Sequence, residues 1–164
     1  MKAVPYASAV GSLQYAQVGT RPDLSFITGV LGRYQSNPSI EHWKMVKKAL
    51  RYVRGTTGLM LTYRKSESLE IEGYSDSDFA GDVDDRKSTS GYIFTLAKGA
   101  ISWKSSKQTV TASSTIYAEF VACYEASGQV TWLKELVPGK KVVDSVEKTT
   151  EIILRQRATS ILCS

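Results

Sequence analysis

Alternating polar and apolar residues predict a small β-sheet in the middle of the chain. In LEIEGYSD, residues 69–76, apolar or small residues alternate with polar ones, which is the period of a half-buried strand. Two further strand-like runs follow, GYIFTLAKG at 91–99 and AISWKSS at 100–106, joined through Lys98-Gly99. The apolar run GLMLTY at 58–63 predicts a short strand before them.

Helical spacing on both sides of these strands predicts four helices. The first covers residues 6–18, the second is capped by Thr20 with Pro22 in its first turn, and the third runs from Ser39 to Gly55. His42, the only histidine, is interpreted as a capping or packing residue rather than a ligand or base. The fourth helix begins near Ser113 and ends at Pro138-Gly139. The apolar positions expected to face the core are Val10, Leu13, Leu24, Ile27, Val30, Leu31, Trp43, Val46, Leu50 and Val53, and in the fourth helix Ile116, Phe120, Val121, Tyr124, Val130, Leu133 and Leu136.

Composition indicates an intracellular protein with one principal core. With 164 residues, 42% of them hydrophobic, the chain is expected to form one domain and an extension. Its two cysteines, Cys123 and Cys163, make no disulfide framework, and reduced thiols are expected. Because no apolar run reaches about 18 residues and the N-terminus lacks a signal-peptide pattern, we expect a soluble cytoplasmic or nuclear protein with no membrane partner.

The net charge of +5 is unevenly distributed along the chain. Residues 1–65 have ten Lys or Arg and two acids, residues 66–85 have eight acids and no base, and residues 86–141 have eight bases and three acids. Charge alone favours a solvated acidic loop in a basic protein. The other interpretation is a set of carboxylates for a hard cation, flanked by surfaces that neutralise phosphates. The motifs favour this second interpretation.

Four sequence motifs carry a resemblance to a known family. They are Y-S-D-S-D-F-A-G at 74–81, R-K-S-T-S-G-Y-I-F at 86–94, W-K-S-S-K-Q-T-V-T-A-S-S-T at 103–115 and A-E-F at 118–120. In this order they resemble the ribonuclease H domain of copia-type long-terminal-repeat retrotransposon polyproteins. Three further pieces, at 6–15, 20–23 and 42–56, resemble the segment that connects the reverse transcriptase to that nuclease.

The resemblance implies a ribonuclease H-like α+β fold. This fold has a mixed sheet of three antiparallel strands plus one parallel strand with a packed helix, here preceded by an N-terminal helical extension. Ile152–Leu154 have strand propensity, and a right-handed crossover would place them beside the first strand. The predicted domains are residues 1–57, a helical connection segment from the reverse transcriptase end, and residues 58–164, a ribonuclease H-like domain that is incomplete at its C-terminus.

The resemblance also implies a site and a reaction. The family hydrolyses the RNA strand of an RNA/DNA hybrid with two Mg²⁺ (or Mn²⁺) ions about 4 Å apart. Matched residue by residue, Asp76 is the bridging ligand and Glu119 the second catalytic ligand. Asp78 shares the strand face of Asp76 and is a further candidate for the metal, although a surface acid is its favoured interpretation.

Basic residues are the candidates for contact with nucleic acid. By itself, the basic face of the third helix is typical of a solvated amphipathic helix. The resemblance implies contact with the hybrid or template instead, and it also implies the reverse transcriptase portion of the polyprotein as a partner. The predicted nucleic-acid-binding residues are Lys44, Lys47, Lys48, Arg51, Arg86, Lys87, Lys104 and Lys107.

The chain departs from the family pattern near its end. The family has its third acid in a segment like K-[LI]-Y-C-D-N, where this chain has Arg155, and the family's final acid has no counterpart. With a suitable choice of codons, residues 151–164 re-read one nucleotide along give K-L-Y-C-D-K-E-P-Q-V-F-Y-V, which predicts a truncated, frameshifted copy. We therefore expect an endonuclease with impaired or no turnover, and the alternative is a non-catalytic remnant or nucleic-acid-binding module with the same fold. Arg155 is expected beside Asp76 in a salt bridge.

Overall fold

The chain divides into two compact units, Met1–Thr62 and Tyr63–Ser164. A computed structural model describes residues 4–63, 71–82 and 84–136 with their side chains, and the backbone of residues 137–139 and 152–156. The sequence predicts a division after residue 57. The assignment of the first part to a reverse transcriptase connection and of the second part to a nuclease stays a prediction.

The first unit is helical. It contains α1 (Tyr6–Gly19), a single 3-10 turn (Pro22–Leu24), α2 (Ser25–Gly32) and α3 (Ile40–Gly55). The predicted cap at Thr20 is wrong, because Pro22 opens the 3-10 turn and α2 begins only after it. One apolar core fills this unit, formed by Tyr6, Val10, Leu13, Leu24, Leu31, Val46 and Ala49.

The helix α3 begins and ends where the sequence predicts. Ser39 Oγ accepts a hydrogen bond from the His42 backbone N–H at 3.3 Å, and the Ser39 N–H donates to His42 Nδ1 at 3.0 Å. This reciprocal cap, together with the stacking of the His42 ring on Tyr34, confirms the capping and packing interpretation of His42. The prediction that Leu50 is buried is wrong, because the covered side of α3 is the side of Val46 and Ala49.

The second unit contains the predicted antiparallel sheet. Its strands are β1 (Ile71–Ser77), β2 (Thr89–Leu96) and β3 (Gly99–Lys107), and β2 pairs antiparallel with both neighbours. A further strand, β4 (Ile152–Gln156), pairs parallel with β1 and gives the order β3-β2-β1-β4. The parallel register sets Arg155 opposite Tyr74. The predicted salt bridge of Arg155 lies outside the described side chains.

Two local predictions in this part of the chain are wrong. Residues 58–63 form no strand, although the Tyr63 hydroxyl donates to the Ala100 carbonyl at 2.7 Å. The β2–β3 turn is one residue earlier than predicted, because Leu96 pairs with Gly99 and the two residues between them have positive φ. Those φ values are 48° and 64°, as in the tight turns whose twist matches that of a hairpin.

The helix α4 (Thr115–Gly139) packs on β1 and β2. The predicted inward positions Ile116, Phe120 and Tyr124 are 66%, 63% and 73% exposed, so this part of the prediction is wrong. Small residues of α4 are buried against the sheet instead, where the buried face of β1 includes the small residues Gly73 and Ser75 beside Ile71. The inward residues near the start of α4 are Ala118, Ala122, Cys123 and Ala126, followed by Leu133.

None of the helices in the described part of the chain is both long and apolar enough to cross a membrane.

Candidate functional site

The end of β1 and the start of α4 bring two acids together. Asp76 is the next-to-last residue of β1 and is exposed, and Glu119 is half-buried on the α4 side that packs against the sheet. Ser77 lies between them: its backbone N–H donates to Asp76 Oδ1 at 3.0 Å, and it also hydrogen bonds to Glu119. The two residues that the sequence assigns to catalysis are therefore neighbours.

Ionisation of both Asp76 and Glu119 is electrostatically unfavourable. Burial raises the pKa of Glu119, the Ser77 backbone N–H lowers this pKa by hydrogen bonding, and the charge of Asp76 raises it again. Two carboxylates that repel each other are stabilised by a cation placed between them. A cation could offset this repulsion, and metal binding by Asp76 and Glu119 stays a prediction.

A buried glutamine that the sequence analysis did not single out supports this junction. Gln108 follows β3, and its Nε2 group donates to Ser90 Oγ and to the Ala118 carbonyl, both at 2.9 Å. Ala118 directly precedes Glu119 in α4. The residue lies in the W-x-S-x-K-Q motif, which is the signal that could have drawn attention to it.

Asp78, the third candidate, is turned into the loop that connects β1 to β2. Its carboxylate accepts a hydrogen bond from the Thr89 N–H, and its own N–H donates to the Thr89 carbonyl at 3.2 Å. A Cβ at Gly81 would collide with this carboxylate, so a larger residue at that position would displace the Asp78 side chain. These contacts give Asp78 a structural function, and metal binding by Asp78 stays a prediction.

The basic residues predicted around this loop differ in their surroundings. Lys107 Nζ lies 2.7 Å from Asp85 Oδ2 and 3.0 Å from Asp82 Oδ2, and hydrogen bonds to these two acids raise the pKa of Lys107. The charge of Lys107 is therefore compensated inside the protein. Arg86 and Lys104 are exposed, and Lys87 is half-buried. Nucleic-acid binding by this group stays a prediction.

The donor set fits a hard cation only in part. Carboxylate oxygens are the ligands that Mg²⁺ and Mn²⁺ prefer, and Asp76 and Glu119 come from different elements, as such sites require. No group of three or more His, Cys, Asp or Glu side chains in the described part of the chain is arranged to hold a metal ion. Two carboxylates suit one weakly held cation better than the pair of ions that hydrolysis of a hybrid uses.

No protein-family model and no solved structure matches the chain. The Retrovirus-related Pol polyprotein from transposon TNT 1-94 of Nicotiana tabacum is 50% identical over 137 residues, which are 84% of this chain and 10% of that protein. The corresponding polyprotein from transposon RE2 of Arabidopsis thaliana is 40% identical over 132 residues, which are 80% of this chain and 9% of that protein. Secreted RxLR effector protein 161 of Plasmopara viticola is 45% identical over 133 residues, which are 81% of this chain and 94% of that protein.

One of these relatives is covered almost from end to end, and the polyproteins match over a stretch of the same length. The chain is homologous to one region of the retrovirus-related Pol polyproteins of transposons. It spans about a tenth of the length of the two polyproteins and therefore corresponds to one region of them. The predicted resemblance to copia-type polyproteins is confirmed at this level.

Within this Pol region, the T-R-P-D motif joins the helices of the first unit. Arg21 donates to both carboxylate oxygens of Asp23, from Nε at 3.0 Å and from Nη2 at 2.7 Å, and Nη2 also donates to Thr56 Oγ1 at 2.7 Å. The Tyr52 hydroxyl donates to Asp23 Oδ2 at 2.8 Å. These contacts connect the 3-10 turn to the end of α3, so the motif has a structural function in this unit.

The cations of α3 lie on its exposed side. Lys47, Lys48 and Arg51 are exposed, and exposed Lys44 has its Nζ 2.7 Å from Glu41 Oε1. An ion pair between exposed groups contributes little to stability, so it leaves Lys44 available to a phosphate. The helix presents a row of positive charge, and its contact with nucleic acid stays a prediction.

Proposed function

We propose that the second unit of this Pol region is a ribonuclease H-type domain with a ribonuclease H-like fold. Its reaction is the hydrolysis of RNA in an RNA/DNA hybrid, and its turnover is impaired. The observation that carries the proposal is the neighbourhood of Asp76 and Glu119 at the junction of β1 and α4, where burial and the Asp76 charge raise the pKa of Glu119. Catalytic sites are where such costly pairs of like charge concentrate.

Asp76 and Glu119 would hold the Mg²⁺ or Mn²⁺ ions. When bound, such ions activate the attacking water and stabilise the leaving oxygen. The protein holds its acids in place: Ser77 orients Asp76 through its backbone N–H, and the packing of α4 on the sheet keeps Glu119 at the end of β1. Because burial raises the pKa of Glu119, proton loss from this acid and cation binding are coupled.

The number of acids explains why turnover is expected to be impaired. Mg²⁺ takes six oxygen ligands and usually keeps several waters, but a pair of ions needs more than two carboxylates to share. The described side chains supply two, Asp76 and Glu119. At the position where the resembled family has its next acid, beside β1, the chain has Arg155.

A second candidate function is nucleic-acid binding without turnover. It is favoured by the exposed cations of α3, by exposed Arg86 and Lys104, and by the small number of acids. Phosphate contacts release counterions, so the affinity of such a module for any hybrid would fall steeply with salt. Binding and cleavage are separate measurements, and together they distinguish the two functions.

The experiment uses the full chain with a labelled RNA/DNA hybrid. Binding is measured by fluorescence anisotropy at several salt concentrations, and cleavage is measured with Mg²⁺ and with Mn²⁺. We expect salt-dependent binding and slow cleavage that Asp76→Asn and Glu119→Gln abolish without weakening binding more than about twofold. Cleavage that survives both substitutions would exclude these acids as the site. Binding with no cleavage by any variant would favour the second function.

A further inference from the structure

Gln108 connects three elements around the proposed site. It is 1% exposed, and its backbone N–H donates to the Ser88 carbonyl at 2.8 Å, which attaches the end of β3 to the start of β2. Its side chain donates to Ser90 Oγ on β2 and to the Ala118 carbonyl on α4. The buried side chain of Gln108 therefore connects the end of β3 to both β2 and α4.

Both side-chain bonds end next to a proposed metal ligand. Ser90 is the β-sheet partner of Ser77, whose N–H donates to Asp76 Oδ1. Ala118 precedes Glu119 in the chain and is itself fully buried. The path from Asp76 to Glu119 through Gln108 therefore consists of the two side-chain hydrogen bonds of Gln108, the cross-strand pairing of Ser90 with Ser77, and residues adjacent in the chain.

The chemistry of the contact restricts the residue type. A carbonyl oxygen can only accept a hydrogen bond, so the Nε2 end of the amide must face Ala118. A primary amide supplies two N–H donors on one planar group, which serves the Ala118 carbonyl and Ser90 Oγ at once. Glutamate of the same shape has no donor when ionised, and methionine of similar length has none.

We propose that Gln108 is a positioning residue of this site: it fixes the start of α4 against the end of β1 so that Glu119 faces Asp76. This inference rests on the proposed function, because the pair needs a fixed geometry only if it holds a cation. Residues that orient metal ligands without touching the metal typically change metal affinity by about 10-fold to 100-fold when they are removed.

The chain offers a matched control for this residue. Gln129 also bridges α4 and the sheet, with Nε2 donating to Ser102 Oγ at 3.1 Å, but it lies almost three turns beyond Glu119. The test compares Gln108→Met and Gln108→Glu with Gln129→Met. Ser90→Ala provides a milder variant, since it removes one of the two side-chain bonds and leaves the Ala118 bond.

The first measurement is Mn²⁺ affinity, by electron paramagnetic resonance titration of the full chain. We expect binding about tenfold weaker for Gln108→Met and for Gln108→Glu, a smaller loss for Ser90→Ala, and a change below about twofold for Gln129→Met. Equal affinity in wild type and both Gln108 variants overturns the proposal. If Gln108→Met does not fold, Gln108→Glu and Ser90→Ala decide by the same criterion.

The second measurement is amide hydrogen exchange, which does not depend on metal binding. We expect exchange of the amides of residues 118–122 to accelerate about tenfold in Gln108→Met and to stay unchanged in Gln129→Met. Unchanged exchange in Gln108→Met overturns the positioning role. A wild-type chain that binds no Mn²⁺ would instead overturn the proposed function, and the exchange rates would still decide whether Gln108 holds the start of α4.

Discussion

The two units of this Pol region contain two motif networks with opposite electrostatics. In the first unit, Arg21 neutralises Asp23 and also donates to Thr56, so that each charge has a partner. In the second unit, the carboxyl groups of Asp76 and Glu119 lie at the same junction, and burial together with the charge of Asp76 raises the pKa of Glu119. Two motifs that both contain charged residues therefore have different functions in the molecule. The first network stabilises the fold. The second lowers the stability of the fold, and this loss is expected to be offset only when a cation binds.

The largest effect expected from this comparison is on the stabilising network. Arg21→Met removes a two-pronged bond to Asp23 and a bond to Thr56, and bonds to charged groups contribute about 1.5–3 kcal/mol each. We expect the free energy of unfolding to fall by about 2–3 kcal/mol in urea denaturation at pH 7. Arg51→Met, the same change at an exposed position of α3, should alter it by less than about 0.5 kcal/mol.

The same variant has a pH signature. The hydrogen bond from Arg21 lowers the pKa of Asp23 below its unfolded value, which is about 3.9. The stability from this pair is therefore present above that pH and is lost as the pH falls through the folded-state pKa. The gap between wild type and Arg21→Met should shrink below about pH 4. A gap that is constant down to pH 2 would contradict the assignment.

The second prediction concerns the close approach of α4 to β1, which creates the like-charge pair. Ala122→Leu adds three carbons to a side chain that is 1% exposed, and overpacking of this kind costs about 1–3 kcal/mol. Phe120→Leu, on the exposed side of the same helix, should change stability by less than about 0.5 kcal/mol. Chemical denaturation of both variants checks this, and a larger loss for Phe120→Leu would reverse the assignment of the two sides.

The third prediction separates Asp78 from the site acids. Asp78→Ala removes the acceptor of the Thr89 N–H in the β1–β2 loop, and we expect a loss of about 1–2 kcal/mol in stability. Mn²⁺ affinity should stay within about twofold of wild type, whereas Asp76→Asn should lower it about tenfold or more. Equal losses of affinity in the two variants would make Asp78 a ligand as well.

The smallest expected effect has the opposite sign. Burial and the Asp76 charge raise the pKa of Glu119. Ionisation of this acid above its unfolded pKa of about 4.3 therefore destabilises the folded state. Without divalent cations, Glu119→Gln should raise the melting temperature at pH 7, and the gain should disappear as the pH falls below about 4. A melting temperature below that of wild type at pH 7 would contradict the like-charge account.

The sequence predicts most of the fold where one pattern dominates. The alternation in β1 and the amphipathic face of α3 locate these elements well, because each has one covered side. In α4 the large apolar residues misled the prediction, since Ile116 and Phe120 face solvent while alanines face the sheet. Close packing against small strand residues selects for small size, and a hydrophobicity pattern does not show which side of a helix is approached so closely.

Only the site residues that the family motifs identify could be predicted from the sequence. Asp76 and Glu119 follow from the resemblance, but their neighbourhood depends on hydrogen bonds between residues that are distant in sequence. Gln108 and Ala118 are ten residues apart, and Gln108 and Ser90 are eighteen apart. Lys107 and its partner Asp82 are twenty-five residues apart, so the sequence alone does not show that the charge of Lys107 is neutralised within the protein. Long-range partners of polar groups are determined by the fold rather than by local pattern.

The most direct test of impaired catalysis is cleavage of a labelled RNA/DNA hybrid by wild type and by Arg155→Asp, side by side with Mn²⁺. The account predicts that Arg155→Asp cleaves at least about tenfold faster than wild type, because it restores an acid on the strand that pairs with β1. The gain should vanish when Asp76→Asn is added. Cleavage by wild type as fast as by Arg155→Asp, or a gain that survives Asp76→Asn, would contradict it.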